Sequence, residues 1–364
     1  MQRDPRVPVA EEQPTGRSKG SLLRRAGFAA LSLGIVVATF VYFLPTIANY
    51  ADVWGVVKEL SWQWVAVFLA ATVVYLVTFA PPWLVALPGV SFVRAMELTQ
   101  ASTALSIVVP GGGAVGAAAA FGMLRKWGFP SRDVSRALTL TTLWTQFLNL
   151  SFPIVAVFLL TVSGEHSAAL ATAAFVGVAV LGIVVAAFVV ILVSDRLARD
   201  IGDLAARFAS WARGKVRRGP VAWTGAGFER FRREAGDFLE RNWPALTIAS
   251  LAASLSAFVL LVASLRGLGV PSSQVSLVEA FAAWALVRLL VSVPITPGGL
   301  GVVELGLTGA LVAFGGSNAR VVAAVLTYRF LTVVPSLLLG LAAALTFRRG
   351  RADGAEVSRA DTVP

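Results

Sequence analysis

The 364-residue sequence contains no cysteine and a single histidine, His166. The first absence excludes disulfides, thiolate metal sites and cysteine nucleophiles, and it removes the usual clue to redox compartment. The second excludes a histidine-rich metal centre. Charge is also scarce, at 14% of residues. Missing too are an Asp-x-Asp metal motif, a His-Glu-x-x-His helix and a phosphate-cradling Gly-x-x-x-x-Gly-Lys loop. With none of these present, no catalytic residue, metal or cofactor is expected, and an enzyme is the less favoured class. What fills the chain instead is apolar. Hydrophobic residues make up 57% of it and the mean hydropathy is +0.76, outside the range of soluble globular domains.

A membrane-crossing helix needs roughly 20 apolar residues, and six segments meet that length: 26–48, 63–87, 137–162, 168–193, 244–265 and 321–346. The first follows a polar start, residues 1–25. It exceeds a signal-peptide core and has no convincing cleavage site, so it reads as a retained span. Two further apolar stretches, 95–124 and 276–314, are interrupted by Pro110-Gly111-Gly112-Gly113 and by Pro297-Gly298-Gly299. A continuous helix tolerates such interruptions poorly, so both are expected to be broken helices. The fold class is therefore an all-α polytopic membrane protein with about six full transmembrane helices and two broken re-entrant segments.

Basic residues set the orientation, because Lys and Arg accumulate on the cytoplasmic side. If each broken segment enters and leaves on one side, 26 of the 31 Lys and Arg fall inside, including Arg94, Arg125, Lys126, Arg132 and Arg136. Both termini are then cytoplasmic, and the polar tail 347–364 is expected to be disordered. The basic loop 195–243 is too short for an independent domain. It carries two apolar stripes, Leu197, Ile201, Leu204, Phe208 and Trp211, then Phe228, Phe231, Phe238 and Leu239, which suggest interfacial helices. Its patch Arg213 to Arg218 suits anionic headgroups or simply determines topology. Nucleic acid is not an expected partner, since the basic residues follow the topology and form no single soluble face.

An internal repeat supports this organisation. One constant shift along the chain carries Pro110-Gly111-Gly112 onto Pro297-Gly298-Gly299 and Trp127-Gly128 onto Phe314-Gly315. The copies are 63–162 and 244–346, and the orientation above makes their topology inverted, an arrangement that transporters use to bring interrupted helices together near the midplane.

Ionised side chains inside a membrane cost at least about 2.5–3.5 kcal/mol each. The second copy holds most of them: Arg288, Glu304 and Arg329, the last beside Tyr328, with Glu279 placed at a solvated end. One reading is a structural ion network that ties the broken helix to the last span. The other is an anion site, in which Arg288 and Arg329 hold a lipid phosphate and Glu304 balances or gates them. Pro297, Gly298, Gly299 and Gly301 would supply the break and its free N–H groups. The first copy has Ala101, Ala117 and Thr142 at the equivalent positions, and Glu97, Gln100 and Gln146 are its candidates for lining a polar cavity.

The stretch Val293-Pro294-Ile295-Thr296-Pro297-Gly298-Gly299-Leu300-Gly301-Val302-Val303-Glu304, with Arg329 and Pro335 in the last span, resembles the family named for the transmembrane region of lysylphosphatidylglycerol synthase, also called flippase-like proteins. Pro110 to Gly113 and Gly128 form the corresponding first-half motif. The resemblance covers most of residues 26–346. It implies a bacterial plasma-membrane protein that moves lipids between leaflets. Members that aminoacylate phosphatidylglycerol carry a large cytosolic transferase domain after these spans, whereas this sequence ends at Pro364, so synthase activity is not expected. The expected partners are anionic membrane lipids and, as an alternative role, a separately encoded lipid-modifying transferase.

Overall fold

Hydrocarbon offers backbone polar groups no partners, so an apolar chain in a membrane satisfies them internally as helix. The computed structural model describes residues 50–109, 112–163, 225–291 and 296–360, and among them there is no strand. The helices are α1 (Tyr50–Lys58), α2 (Trp62–Thr78), α3 (Pro81–Ala86), α4 (Phe92–Val108), α5 (Gly112–Lys126) and α6 (Ser131–Val162), then α7 (Gly225–Gly267), α8 (Leu277–Val291), α9 (Val302–Ala313) and α10 (Asn318–Ala360). A 3₁₀ turn, Pro297–Gly299, stands between α8 and α9. The expected spans 26–48 and 168–193, the polar start 1–25, Pro110, Gly111 and the loop as far as residue 224 lie outside the described residues.

Four helical stretches have the length and apolarity to cross a membrane: Trp62–Ala86, Ser131–Val162, Ala235–Gly267 and Asn318–Ala343. They coincide with the four expected spans that fall within the described residues. Their outward faces carry exposed Val65, Leu69, Val73, Ile248, Val259, Phe330, Leu338 and Leu341. An apolar surface of this extent belongs against lipid tails.

Both interrupted segments are broken where the sequence predicts. The arms α4 and α5 pack against each other so closely that a Cβ on Gly116 would meet the Ser102 carbonyl oxygen at 2.7 Å, which only glycine avoids. Likewise α8 packs on α9. Each pair of arms is therefore a hairpin that turns back at its break. After each hairpin the chain closes with the same cap. Phe129 N–H donates to Leu124 O and Gly128 N–H to Arg125 O; at the equivalent place in the second copy, Gly316 N–H donates to Leu311 O and Gly315 N–H to Val312 O. This is the Schellman arrangement, with Gly128 and Gly315 both at positive φ. The next helix starts at Ser131 in one copy and at Asn318 in the other, the same offset again.

Corresponding spans of the two copies run in opposite directions. The Thr78 and Ser256 hydroxyls lie 2.9 Å apart at one end of the α2–α7 contact, while Phe68 and Trp64 meet Gly267 at the other. That antiparallel pairing of equivalent helices is what inverted topology requires. The contacts are also reciprocal, since α4 packs on α10 and α8 on α6, each hairpin embracing the last span of the other copy.

Two segments differ from their expected form. Residues 225–243 are not a separate interfacial helix but the first turns of α7, and Ala235 and Leu239 pack with Leu140 of α6 and with Leu246. Leu239 is buried there and Phe238 packs against the same cluster, so these two apolar positions face a neighbouring span. The tail beyond 347, expected to be disordered, instead continues α10 as far as Ala360; helix propagation from a long preformed span needs no new nucleus.

Candidate functional site

The two breaks meet. A Cβ on Gly298, whose φ is +59°, would lie 3.1 Å from Cα of Ile107 at the end of α4. Between the hairpins opens a cavity of about 650 Å³ whose wall includes Ser106, Gly112 and Gly113 from the first hairpin and Gly298, Gly299 and Val303 from the second. Tyr75 of α2, Gln146 and Asn149 of α6, Trp284 and Arg288 of α8, and Tyr328 and Arg329 of α10 complete it. Arg288 is eleven residues into α8 and Arg329 eleven residues into α10, about 16 Å along each helix axis from its start.

Glu304, 1% exposed, organises the second break. Its Oε1 accepts from Arg329 Nε at 2.8 Å and its Oε2 accepts from the Gly301 N–H at 2.7 Å. The second bond is the reach-back of a helix cap, placing a carboxylate in the first turn of α9, where the helix dipole favours it. Gly301, at φ +83°, holds a conformation other residues rarely adopt. Arg329 Nη2 also donates to Gly298 O at 3.0 Å, so one guanidinium ties the last span to both sides of the break.

Arg288 is held differently. Its Nε donates to Asn149 Oδ1 at 3.0 Å, a bond from the second copy to the first, and its guanidinium stacks on Trp284 with 4.9 Å between Cζ and the ring centroid. Asn149 Nδ2 donates in turn to Gln146 Oε1 at 3.1 Å. The cavity wall thus carries two guanidinium groups, with the Glu304 carboxylate behind it.

Of the residues singled out from sequence, the structure gathers Arg288, Arg329, Tyr328, Gln146, Gly112, Gly113, Gly298 and Gly299 around one cavity, with Glu304 and Gly301 directly behind. Glu97 and Gln100 are not part of its wall. Gln100 is buried where α4 approaches α10, its carbonyl beside Gly340. Glu279 accepts from Ser276 N–H and caps the start of α8. Sequence reasoning missed Asn149 and Tyr75. Asn149 was detectable as an amide within an otherwise apolar run, three residues from Gln146; Tyr75 carried no signal beyond its ring.

No curated protein matches this chain. Residues 29–340 match the family model described as the lysylphosphatidylglycerol synthase transmembrane region, and the chain, a multi-pass membrane protein, belongs to that family.

Proposed function

We propose that this chain is a lipid flippase or lipid-headgroup-binding transporter module that takes the phosphate of an anionic lipid into the cavity between its two hairpins. The observation that carries the reading is the convergence of two guanidinium groups, each about 16 Å along an apolar helix, on the cavity where both helix breaks meet. Cationic side chains so placed are costly and mark ligand pathways, and guanidinium matches phosphate geometry. Arg329 is engaged by Glu304 at 2.8 Å and by the Gly298 carbonyl. Arg288 meets the neutral amide of Asn149 and an indole face. Arg288 and Arg329 are the phosphate-holding groups of this reading, and Arg329 with Glu304 also sets the shape of the second break. The family, whose name concerns lipid chemistry, supports a lipid as cargo. The reading assigns the chain no bond-making step.

The basic ends of the helices support an orientation in a bacterial plasma membrane with both termini cytoplasmic. Arg94 stacks over Trp127 and Arg136 over Phe238, which collects the starts of α4 and α6, the end of α5 and the early turns of α7 at one end.

Native mass spectrometry of the purified protein in mild detergent tests the reading. Wild type should retain a defined anionic lipid that Arg288→Gln loses while remaining folded. Identical, non-selective lipid profiles would reject it and favour a structural ion network, with the chain acting as membrane partner of a separate lipid-modifying transferase.

A further inference from the structure

The hydrogen bonds around Arg288 have an enforced direction. A guanidinium has only donors. The Asn149 atom that faces Arg288 Nε at 3.0 Å must therefore be the carbonyl oxygen, and the structure places Oδ1 there. Asn149 is 8% exposed, so its orientation is fixed by these partners. Its Nδ2 then points away from Arg288 and needs an acceptor, which is Gln146 Oε1 at 3.1 Å. One turn of helix along α6, Gln146 Oε1 is thereby turned toward Asn149. Its amide nitrogen remains, and Gln146 stands exposed on the cavity wall.

From this relay we infer that Gln146 is a specificity-determining residue: it presents an N–H donor to an anionic oxygen of the ligand held by Arg288. The inference rests on the phosphate reading above and deepens it. A charge fixed in one repeat sets, through Asn149 as positioning residue, the polarity of a neutral side chain in the other. The cavity is thereby selective for ligands rich in acceptors, and against those that present donors or a cation. A phosphate ester fits on every oxygen; a trimethylammonium headgroup does not.

The test uses the full-length chain in mild detergent, titrated with three probes and read by native mass spectrometry: phosphatidylglycerol, a trimethylammonium-propane lipid with the same tails, and soluble glycerol phosphate. Wild type should prefer phosphatidylglycerol, and retention of glycerol phosphate alone would identify a free phosphate ester as the ligand without altering the role of Gln146. Gln146→Met, nearly isosteric and compatible with a membrane helix, should weaken phosphate-ester binding about tenfold, alongside the modest fall in melting temperature that an unmet Asn149 Nδ2 brings. Gln146→Glu keeps the acceptor for Asn149 and turns the second oxygen toward the ligand, so it should reverse the preference toward the cationic lipid. A purely structural Gln146 would move the melting temperature but not that preference. Wild-type selectivity in both variants, with selectivity lost in Arg288→Gln, would overturn this inference alone. No phosphate preference in wild type would overturn it together with the reading on which it rests.

Discussion

Glu304→Gln changes no shape, only what one buried group can accept. The carboxylate serves two donors, Arg329 Nε at 2.8 Å and the Gly301 N–H at 2.7 Å. An amide has one oxygen for these two donors, so its NH₂ must face either a guanidinium N–H or a backbone N–H. Either choice leaves a buried donor unmet, at about 1–3 kcal/mol, and removes the countercharge that Glu304 gives Arg329. Breaking a buried pair from one side costs about 3–5 kcal/mol. Since the Arg329 side chain retains 14% exposure, the lower end, about 3 kcal/mol, is expected. The double variant Glu304→Gln with Arg329→Gln removes the orphaned charge and should recover a large part of that loss, giving a coupling free energy of about 2 kcal/mol. Unfolding in mixed detergent and dodecyl sulfate micelles, followed by tryptophan fluorescence, measures all three variants against wild type. Glu304→Gln as stable as wild type, or additive single variants, would refute the assignment of this carboxylate as cap and counter-ion.

Because the chain has no native cysteine, Thr78→Cys with Ser256→Cys should form an oxidative crosslink between the copies, read by peptide mass mapping; no crosslink would contradict the antiparallel α2–α7 contact. Gly298→Val places a β-branched residue at φ +59° against Ile107, and strain at such a position, on the order of 1–3 kcal/mol before the clash is counted, should lower the melting temperature and abolish lipid retention together. Asn149→Leu removes the amide that accepts from Arg288 and should reduce phosphatidylglycerol retention about tenfold in native mass spectra, with little change for the cationic lipid.

The spans were legible because length and apolarity suffice to identify them, as Trp62–Ala86 and Ser131–Val162 show. The breaks were legible because Pro-Gly-Gly in an apolar run has few other uses, and the repeat because glycine recurs where both hairpins end in a left-handed cap. Arg288, Glu304 and Arg329 stood out through the cost of charge in lipid. Their partners were less accessible. Pairing Arg288 with Asn149 spans 139 residues, and no local pattern encodes a contact between copies. Glu304 as a cap was readable, since a glycine N-cap followed by a glutamate in the first turn suits a helix start, but its charge also fitted a gating role. Glu97 and Gln100 share a helix with Ser106, yet neither lines the cavity, and the Gln100 carbonyl lies beside Gly340 of α10, a helix rotation that polarity alone does not specify. The Phe238 stripe was ambiguous for a related reason: an apolar face looks the same whether a bilayer surface or a neighbouring span covers it.

The most direct test of a phosphate site between the two hairpins is an experimental structure of the protein in nanodiscs of anionic lipid. The account predicts phosphate density within about 3–4 Å of the Arg288 guanidinium, with Gln146 facing one of its oxygens and the Arg329–Glu304 pair intact behind it. A cavity holding only water or acyl chain, with every headgroup at the bilayer surface, would contradict it.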